Sequence, residues 1–149
     1  MEISKARSEF KQALVAPCGM NCNICSGYLA YSRNIPRQRG KITHCIGCRP
    51  RNKRCAYIKG HCEKLLNNSI DFCFECADFP CQRLKTLDKR YRTNYSMSMI
   101  ENLNEIKRNG INNFLKNQRG KYTCPKCGGV ICIHNKKCYD CDTIESWKG

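Results

Sequence analysis

Ten cysteines fall within the 64 residues from Cys18 to Cys81, and five more lie between Cys124 and Cys141. The first group reads Cys18-Gly-Met-Asn-Cys22-Asn-Ile-Cys25, then Cys45-Ile-Gly-Cys48, Cys55, Cys62, Cys73-Phe-Glu-Cys76 and Cys81. Two thiolates separated by two residues can turn both sulfurs toward one ion, so the pattern predicts a chain built around metal.

The rest of the composition needs such a device. Leu, Ile, Val and Phe together supply 28 of 149 residues, about 19%, in a chain of formal charge +15. That is the border at which a charged chain fails to bury enough apolar surface to fold. A structural zinc site contributes about 10–16 kcal/mol of apparent binding free energy, enough to replace part of a missing core. Disulfides are the competing use of cysteine. An odd cysteine count and Cys-x-x-Cys spacing favour metal. Met1 to Leu14 carries Glu2, Lys5, Arg7, Glu9 and Lys11 without an apolar run, so no signal peptide is expected and the setting reads as cytoplasmic. No stretch approaches the roughly 20 apolar residues of a membrane span. Each four-cysteine zinc site carries −2, so three of them would lower the net charge to about +9.

Apolar spacing over 3–15 predicts an amphipathic helix limited by Pro17. Gly27 to Arg33 predicts a second, ended by Pro36, and residues 55–67 a third. Pro80 stands before a helix carrying Leu84 and Leu87. Ser98 with Glu101 fits a capping box, and Met97, Ile100, Leu103 and Ile106 form a helical stripe stopped at Asn109-Gly110. Ile111, Phe114 and Leu115 mark a short segment after it. Positive charge is concentrated in two places. Residues 33–64 hold ten Lys and Arg against Glu63 alone, and residues 83–121 hold ten against three carboxylates. Within the first, Arg49, Arg51, Lys53 and Arg54 form a loop between Cys48 and Cys55, placed either to contact nucleic-acid phosphates or to offset anionic metal sites. Few aromatics interleave with these runs, which argues against a single-strand stacking platform.

The tail reads Cys124-Pro-Lys-Cys127-Gly-Gly-Val-Ile-Cys132-Ile-His134-Asn-Lys-Lys-Cys138-Tyr-Asp-Cys141 and is similar to a zinc ribbon. Two knuckles would supply four thiolates, with Gly128 and Gly129 permitting the turn and Val130 to Ile133 forming a strand between them. Cys132 is expected to pack rather than ligate. His134 is expected at the surface or behind the ligands.

Ala16-Pro-Cys-Gly-Met-Asn-Cys-Asn-Ile-Cys25, the Cys45–Cys48 pair, Cys55, Cys62, Cys73-Phe-Glu-Cys76 and Asp78-Phe-Pro-Cys-Gln-Arg-Leu84 together resemble the prokaryotic cysteine-rich family called domain of unknown function 3795. Its longer members resemble the chain further, through the helix around Met99–Lys107 and the terminal ribbon. The resemblance implies a bacterial or archaeal origin, a cytoplasmic setting and zinc, and it brings no catalytic residue. Cys45 to Cys55 alone also resembles half of the fungal binuclear zinc-cluster motif, but Cys62 and Cys81 depart from it. The Cys18, Cys22, Cys25 spacing matches that of radical-SAM enzymes, whose barrel 149 residues cannot build.

These readings combine into a small metal-stabilised protein, mainly α with little β. A cysteine-rich metal-binding module spans 1–82, a helical segment 83–120, and a zinc ribbon with a short antiparallel sheet 121–149. Two or three zinc ions are expected. Cys124, Cys127, Cys138 and Cys141 would hold one. Cys45, Cys48, Cys73 and Cys76 would hold another. Cys18, Cys22 and Cys25, with one of Cys55, Cys62 or Cys81, would hold a third. The function expected is a structural-zinc binding or adaptor module for nucleic acid or a protein partner, without a membrane. The alternative is an iron–sulfur or thiol redox protein using the N-terminal cysteines. A hydrolytic zinc site would draw on His44 or His61, which sit beside Cys45 and Cys62, and no nucleotide loop or nucleophile elbow accompanies them.

Overall fold

The computed structural model describes residues 10–47 and 70–147. The expected helix at 55–67, most of the expected helix at 3–15, and Cys48, Cys55, Cys62, His61 and the Arg49–Arg54 run lie outside the described residues. Within them the chain is mainly helical. Single turns of 3-10 helix form at Gln12–Leu14, Cys22–Ile24 and Cys73–Glu75, and four α-helices follow the sequence signals: α1 (Ser26–Ser32), α2 (Gln82–Tyr95), α3 (Met99–Asn109) and α4 (Ile111–Lys121). None of the described helices is long and apolar enough to cross a membrane.

The start of α3 shows how the local chemistry works. Ser98 caps it by accepting the Glu101 N–H at 3.1 Å, which satisfies one of the unpaired donors of a first turn. Asp88, on the preceding helix, reinforces that cap. Its Oδ1 accepts from Ser98 Oγ at 2.6 Å and from the Ile100 N–H at 3.0 Å, while Oδ2 accepts from Arg92 Nε at 2.6 Å. A single buried carboxylate therefore sets the α2–α3 corner. Burial alone would raise its pKa. The bonds from Ser98, Ile100 and Arg92 outweigh that and hold it below the ordinary 3.8. Gly110 ends α3 and begins α4, as the Asn109-Gly110 stop predicts.

Leu84 and Leu87 of α2 and Met99 and Leu103 of α3 join one buried cluster with Leu14, Met20, Ile24, Leu29, Tyr122, Val130, Ile133 and Tyr139. Val15, Ile106, Phe114 and Leu115 make a second, smaller one. The cysteine-rich N-terminal loop is fastened to the helices by buried amides as well as by these contacts. Asn21 is fully buried; it accepts the Asn23 N–H at 3.0 Å and donates to Gln118 Oε1 of α4 at 3.2 Å. Asn102 of α3 donates to the Gly19 carbonyl at 3.0 Å. Gly19 has φ +94, and a Cβ there would stand 2.6 Å from the Met99 carbonyl oxygen, so only glycine lets the loop lie this close to α3.

One expectation fails. The described residues contain no β-strand or sheet, so the short antiparallel sheet of the tail and its strand at 130–133 are not formed. Only isolated bridges occur there, Thr123 with Val130 and Ile131 with Cys138. The reason lies in where this segment's backbone bonds go. Ile131 N–H donates to Tyr122, Cys132 N–H to Lys137, and Ile133 N–H leaves the tail altogether for the Ile24 carbonyl at 3.0 Å. Partners divided among three segments leave no ladder of consecutive pairs.

Replacing Asp88 with alanine leaves Ser98 Oγ and the Ile100 N–H without this acceptor, and should cost about 1–3 kcal/mol in a urea titration at neutral pH. Because the folded carboxyl titrates below its unfolded value, the stabilisation is complete above the unfolded pKa and lost as pH falls through the folded one. The difference between wild type and variant should therefore shrink in acid below about pH 4.

Candidate metal centre

Cys124, Cys127, Cys138 and Cys141 bring their sulfurs within 4.8 Å of one another. Cys124 and Cys141 Sγ are 3.7 Å apart, and Cys127 and Cys138 Sγ 3.5 Å. An ion holding four sulfurs tetrahedrally at about 2.3 Å sets neighbouring sulfurs about 3.8 Å apart, so the four side chains fit a tetrahedral metal. None of the four is in a disulfide.

Each knuckle turns its backbone amides onto sulfur. Gly129 N–H donates to Cys127 Sγ at 3.3 Å, and Asp140 N–H to Cys138 Sγ at 3.4 Å. The N–H groups of Cys127 and Lys126 point to Cys124 and pull its thiol down to about 7. Cys141 is pushed the other way by its bonds with Cys127, Cys138 and Cys124, and burial raises Cys138. The crowded thiols therefore cannot all ionise together unless a cation joins them.

Side chains from other elements brace this site. Arg33, just after α1, forms a two-pronged bond with Asp140, Nε to Oδ1 at 3.1 Å and Nη2 to Oδ2 at 3.3 Å. Asp140 Oδ2 also accepts the Val130 N–H at 2.9 Å. A Cβ on Gly129 would stand 2.6 Å from the Asp140 Cβ, so glycine is required where the second knuckle crosses the first. Arg119, in the last turn of α4, donates to Thr123 Oγ1 at 2.9 Å, to the Gly129 carbonyl at 3.3 Å and to the Gly128 carbonyl. Asp142 Oδ2 accepts the Cys138 N–H at 2.8 Å. Two guanidinium groups thus brace the knuckles, Arg33 paired with Asp140 and Arg119 bonded to the Gly128 and Gly129 carbonyls. None of these four bracing residues belongs to a sequence motif, and the Arg33–Asp140 pair joins positions 107 residues apart, which the linear order does not display.

Cys132 is fully buried and accepts the His134 N–H at 3.3 Å, so it packs rather than joining the four sulfurs. His134 is half-buried and stands apart from the four sulfurs. Its Nδ1 accepts the Ser26 N–H at 3.2 Å, which leaves the proton on Nε2, 3.5 Å from the Tyr91 hydroxyl. Burial and the nearby Lys136 lower its pKa from 6.5 to about 4.

The N-terminal cysteines are arranged differently. Cys18, Cys22 and Cys73 are buried, while Cys25, Cys45, Cys76 and Cys81 are partly so. Cys22–Cys25 and Cys73–Cys76 form the same turn. In each, the second cysteine's N–H donates to the first cysteine's carbonyl at 3.1 Å, and the two end with φ/ψ of −80°/137° and −80°/138°. Cys73 N–H donates to the Pro17 carbonyl at 2.9 Å, which draws the second turn toward Cys18. The Gly47 N–H meets Cys45 Sγ and the Asp78 N–H meets Cys76 Sγ, both at 3.4 Å, as in the terminal knuckles. Among the described residues no second set of three or more ligating side chains is brought together in the same way. Any site completed by Cys48, Cys55 or Cys62 lies outside them, as do Arg49, Arg51, Lys53 and Arg54. His44 bonds the Ile35 carbonyl at 2.6 Å and joins no metal-binding group among the described residues.

Residues 14–86 match the family model described as "Protein of unknown function (DUF3795)", so the terminal cysteines lie beyond the match. No curated protein and no solved structure matches the chain.

His134 supplies a check on this geometry. The unfolded imidazole takes a proton near 6.5 and the folded one only near 4, so the unfolded state binds protons first and stability should fall as pH drops across that window. The histidine resonance lost in His134→Gln should titrate near 4 in an NMR titration; a midpoint near 6.5 would place the ring in water.

Proposed function

The chain belongs, through residues 14–86, to a family of proteins of unknown function (DUF3795), and from that premise we propose that it is a structural-zinc binding or adaptor module rather than an enzyme. One observation carries this reading: four cysteine sulfurs from two knuckles stand at the separations of a tetrahedral site. Four thiolates fill every position of a zinc ion, leaving none for water or substrate, and all-sulfur closed sites are structural. The placement of Arg119 supports the same reading, since a zinc ion with four thiolates keeps a net negative charge that its guanidinium, bonded to neutral oxygens of the knuckle, would partly offset. When bound, zinc would supply folding free energy and no bond-making chemistry.

We further propose the division of labour read from the sequence. Residues 1–82 form a cysteine-rich metal-binding module, 83–120 a helical connection, and 121–149 a zinc ribbon without a sheet. Matching Cys22–Cys25 and Cys73–Cys76 turns support further metal binding in the first of these. One or two further zinc ions would be held there by Cys18, Cys22, Cys25, Cys45, Cys48, Cys55, Cys62, Cys73, Cys76 and Cys81.

Metal analysis of protein purified without oxygen tests the proposal. Two or three zinc ions per chain and a colourless solution are expected, with one ion lost in Cys138→Ser and cooperative unfolding weakened or abolished by a strong chelator. Iron with inorganic sulfide and visible colour would replace this reading with an iron–sulfur one for the N-terminal module. Full zinc retention in Cys138→Ser would remove the terminal site from the account.

A further inference from the structure

Basic and aromatic residues are kept apart in the sequence, and the fold brings them together. The 37–41 stretch closes a tight turn: Gln38 N–H donates to the Ile42 carbonyl at 3.0 Å and Ile42 N–H to Gln38 at 2.8 Å. Arg37, Arg39 and Lys41 are all exposed on it. The Lys41 carbonyl accepts the Trp147 N–H at 3.0 Å, so the turn and the C-terminal tail lie side by side. Trp147 stands edge-on to His134 at 6.1 Å, His134 lies 4.9 Å from Tyr95, and Tyr95 lies 4.9 Å from Tyr91. Lys136 is exposed and donates through Nζ to the Tyr95 carbonyl at 2.9 Å. Tyr91 and Tyr95 lie on α2, where the exposed Lys85 and Lys89 line the neighbouring face at i and i+4. A continuous strip results. Cations of the turn stand at one end, partly exposed aromatic rings in the middle, and the cations of Lys136 and α2 at the other end.

We propose that this strip binds single-stranded nucleic acid, with the cations following the phosphates and bases stacking against Trp147 and Tyr95. The inference rests on the reading of the protein as a binding module and names its partner. Cations interleaved with aromatic rings are the combination that single strands require, because unpaired bases offer π-faces and a duplex does not. The charge balance agrees. Asp140 is held by Arg33, Asp142 by the Cys138 N–H, and Asp88 is buried at the α2–α3 corner, so these three carboxylates are engaged. Glu145, exposed in the tail, opposes the field and is outnumbered by Arg37, Arg39, Lys41 and Lys136. The aromatic residues of the strip come from positions 91, 95 and 147, each remote from the 37–41 turn in sequence.

Trp147 is the sole tryptophan of the chain, so its fluorescence reports on the strip itself. Full-length protein of measured metal content is titrated with unstructured oligouridylate, oligothymidylate, a duplex of equal length and polyglutamate. Single strands should quench Trp147 saturably, and contact with about four phosphates would weaken binding about fiftyfold between about 50 and 200 mM salt. Oligodeoxyuridylate, with the same base as oligouridylate, identifies the preferred sugar. Arg37→Glu with Arg39→Glu, on an exposed turn, should keep the far-ultraviolet circular dichroism and lose at least about tenfold in affinity. The proposal is overturned by absence of saturable quenching at low salt, by equal affinity for duplex or polyglutamate, or by wild-type affinity in the folded double variant. Zinc-loaded protein that fails to bind would overturn the strip and leave the metal reading intact. Binding by protein that holds no zinc would do the reverse.

Discussion

Four sulfurs converge at one point of this chain, and the C-terminal segment takes its shape from that convergence. Sulfurs 3.5–3.7 Å apart are too close for four thiolates to coexist without a cation. Backbone N–H groups draw Cys124 down, while the bonds with the other three sulfurs push Cys141 up. The backbone between the knuckles depends on the convergence. With the loops fixed at both ends, residues 130–133 distribute their N–H groups among Tyr122, Lys137 and Ile24 rather than building a ladder. The bond from Ile133 to Ile24 and the Arg33–Asp140 fork then tie the terminal site to the start of the chain.

A small apolar inventory makes those ties necessary. The buried cluster includes Cys18, Cys22, Cys73 and Cys132 among its members, so thiols occupy places that leucine or isoleucine fill elsewhere. Buried amides do comparable work: Asn21 and Asn102 hold the 16–24 loop against α4 and α3 through specific donors rather than through apolar area alone. An amide pair buried in low dielectric is costly to break, because one partner is left unsatisfied. Loop position is therefore fixed by a few directional bonds.

What could be read from sequence follows the range of the interactions. The helices after Pro80 were legible because caps and apolar period are local: Ser98 with Glu101 and the Asn109-Gly110 stop place α3 correctly. The four terminal cysteines were legible because metal geometry dictates Cys-x-x-Cys spacing. The absent sheet was not, because a ladder depends on which partners the 130–133 backbone finds, and Ile24 lies far away in the chain. Asp140, Arg119 and Arg33 were missed for the same reason, as was the setting of His134 among Ser26, Tyr91 and Tyr95. The apparent separation of aromatic from basic residues was likewise a property of the linear order that the fold removes.

The terminal site is open to X-ray absorption at the zinc edge, on full-length protein and on a Cys124→Ser, Cys141→Ser variant. Four sulfurs at about 2.3 Å are expected around the ion that the variant loses, with one fewer zinc ion per chain in the variant. An unchanged zinc count in the variant, or a wild-type-minus-variant difference that shows oxygen or nitrogen around the lost ion, would contradict this, because the terminal sulfurs would then not form the closed metal site on which the shape of this segment depends.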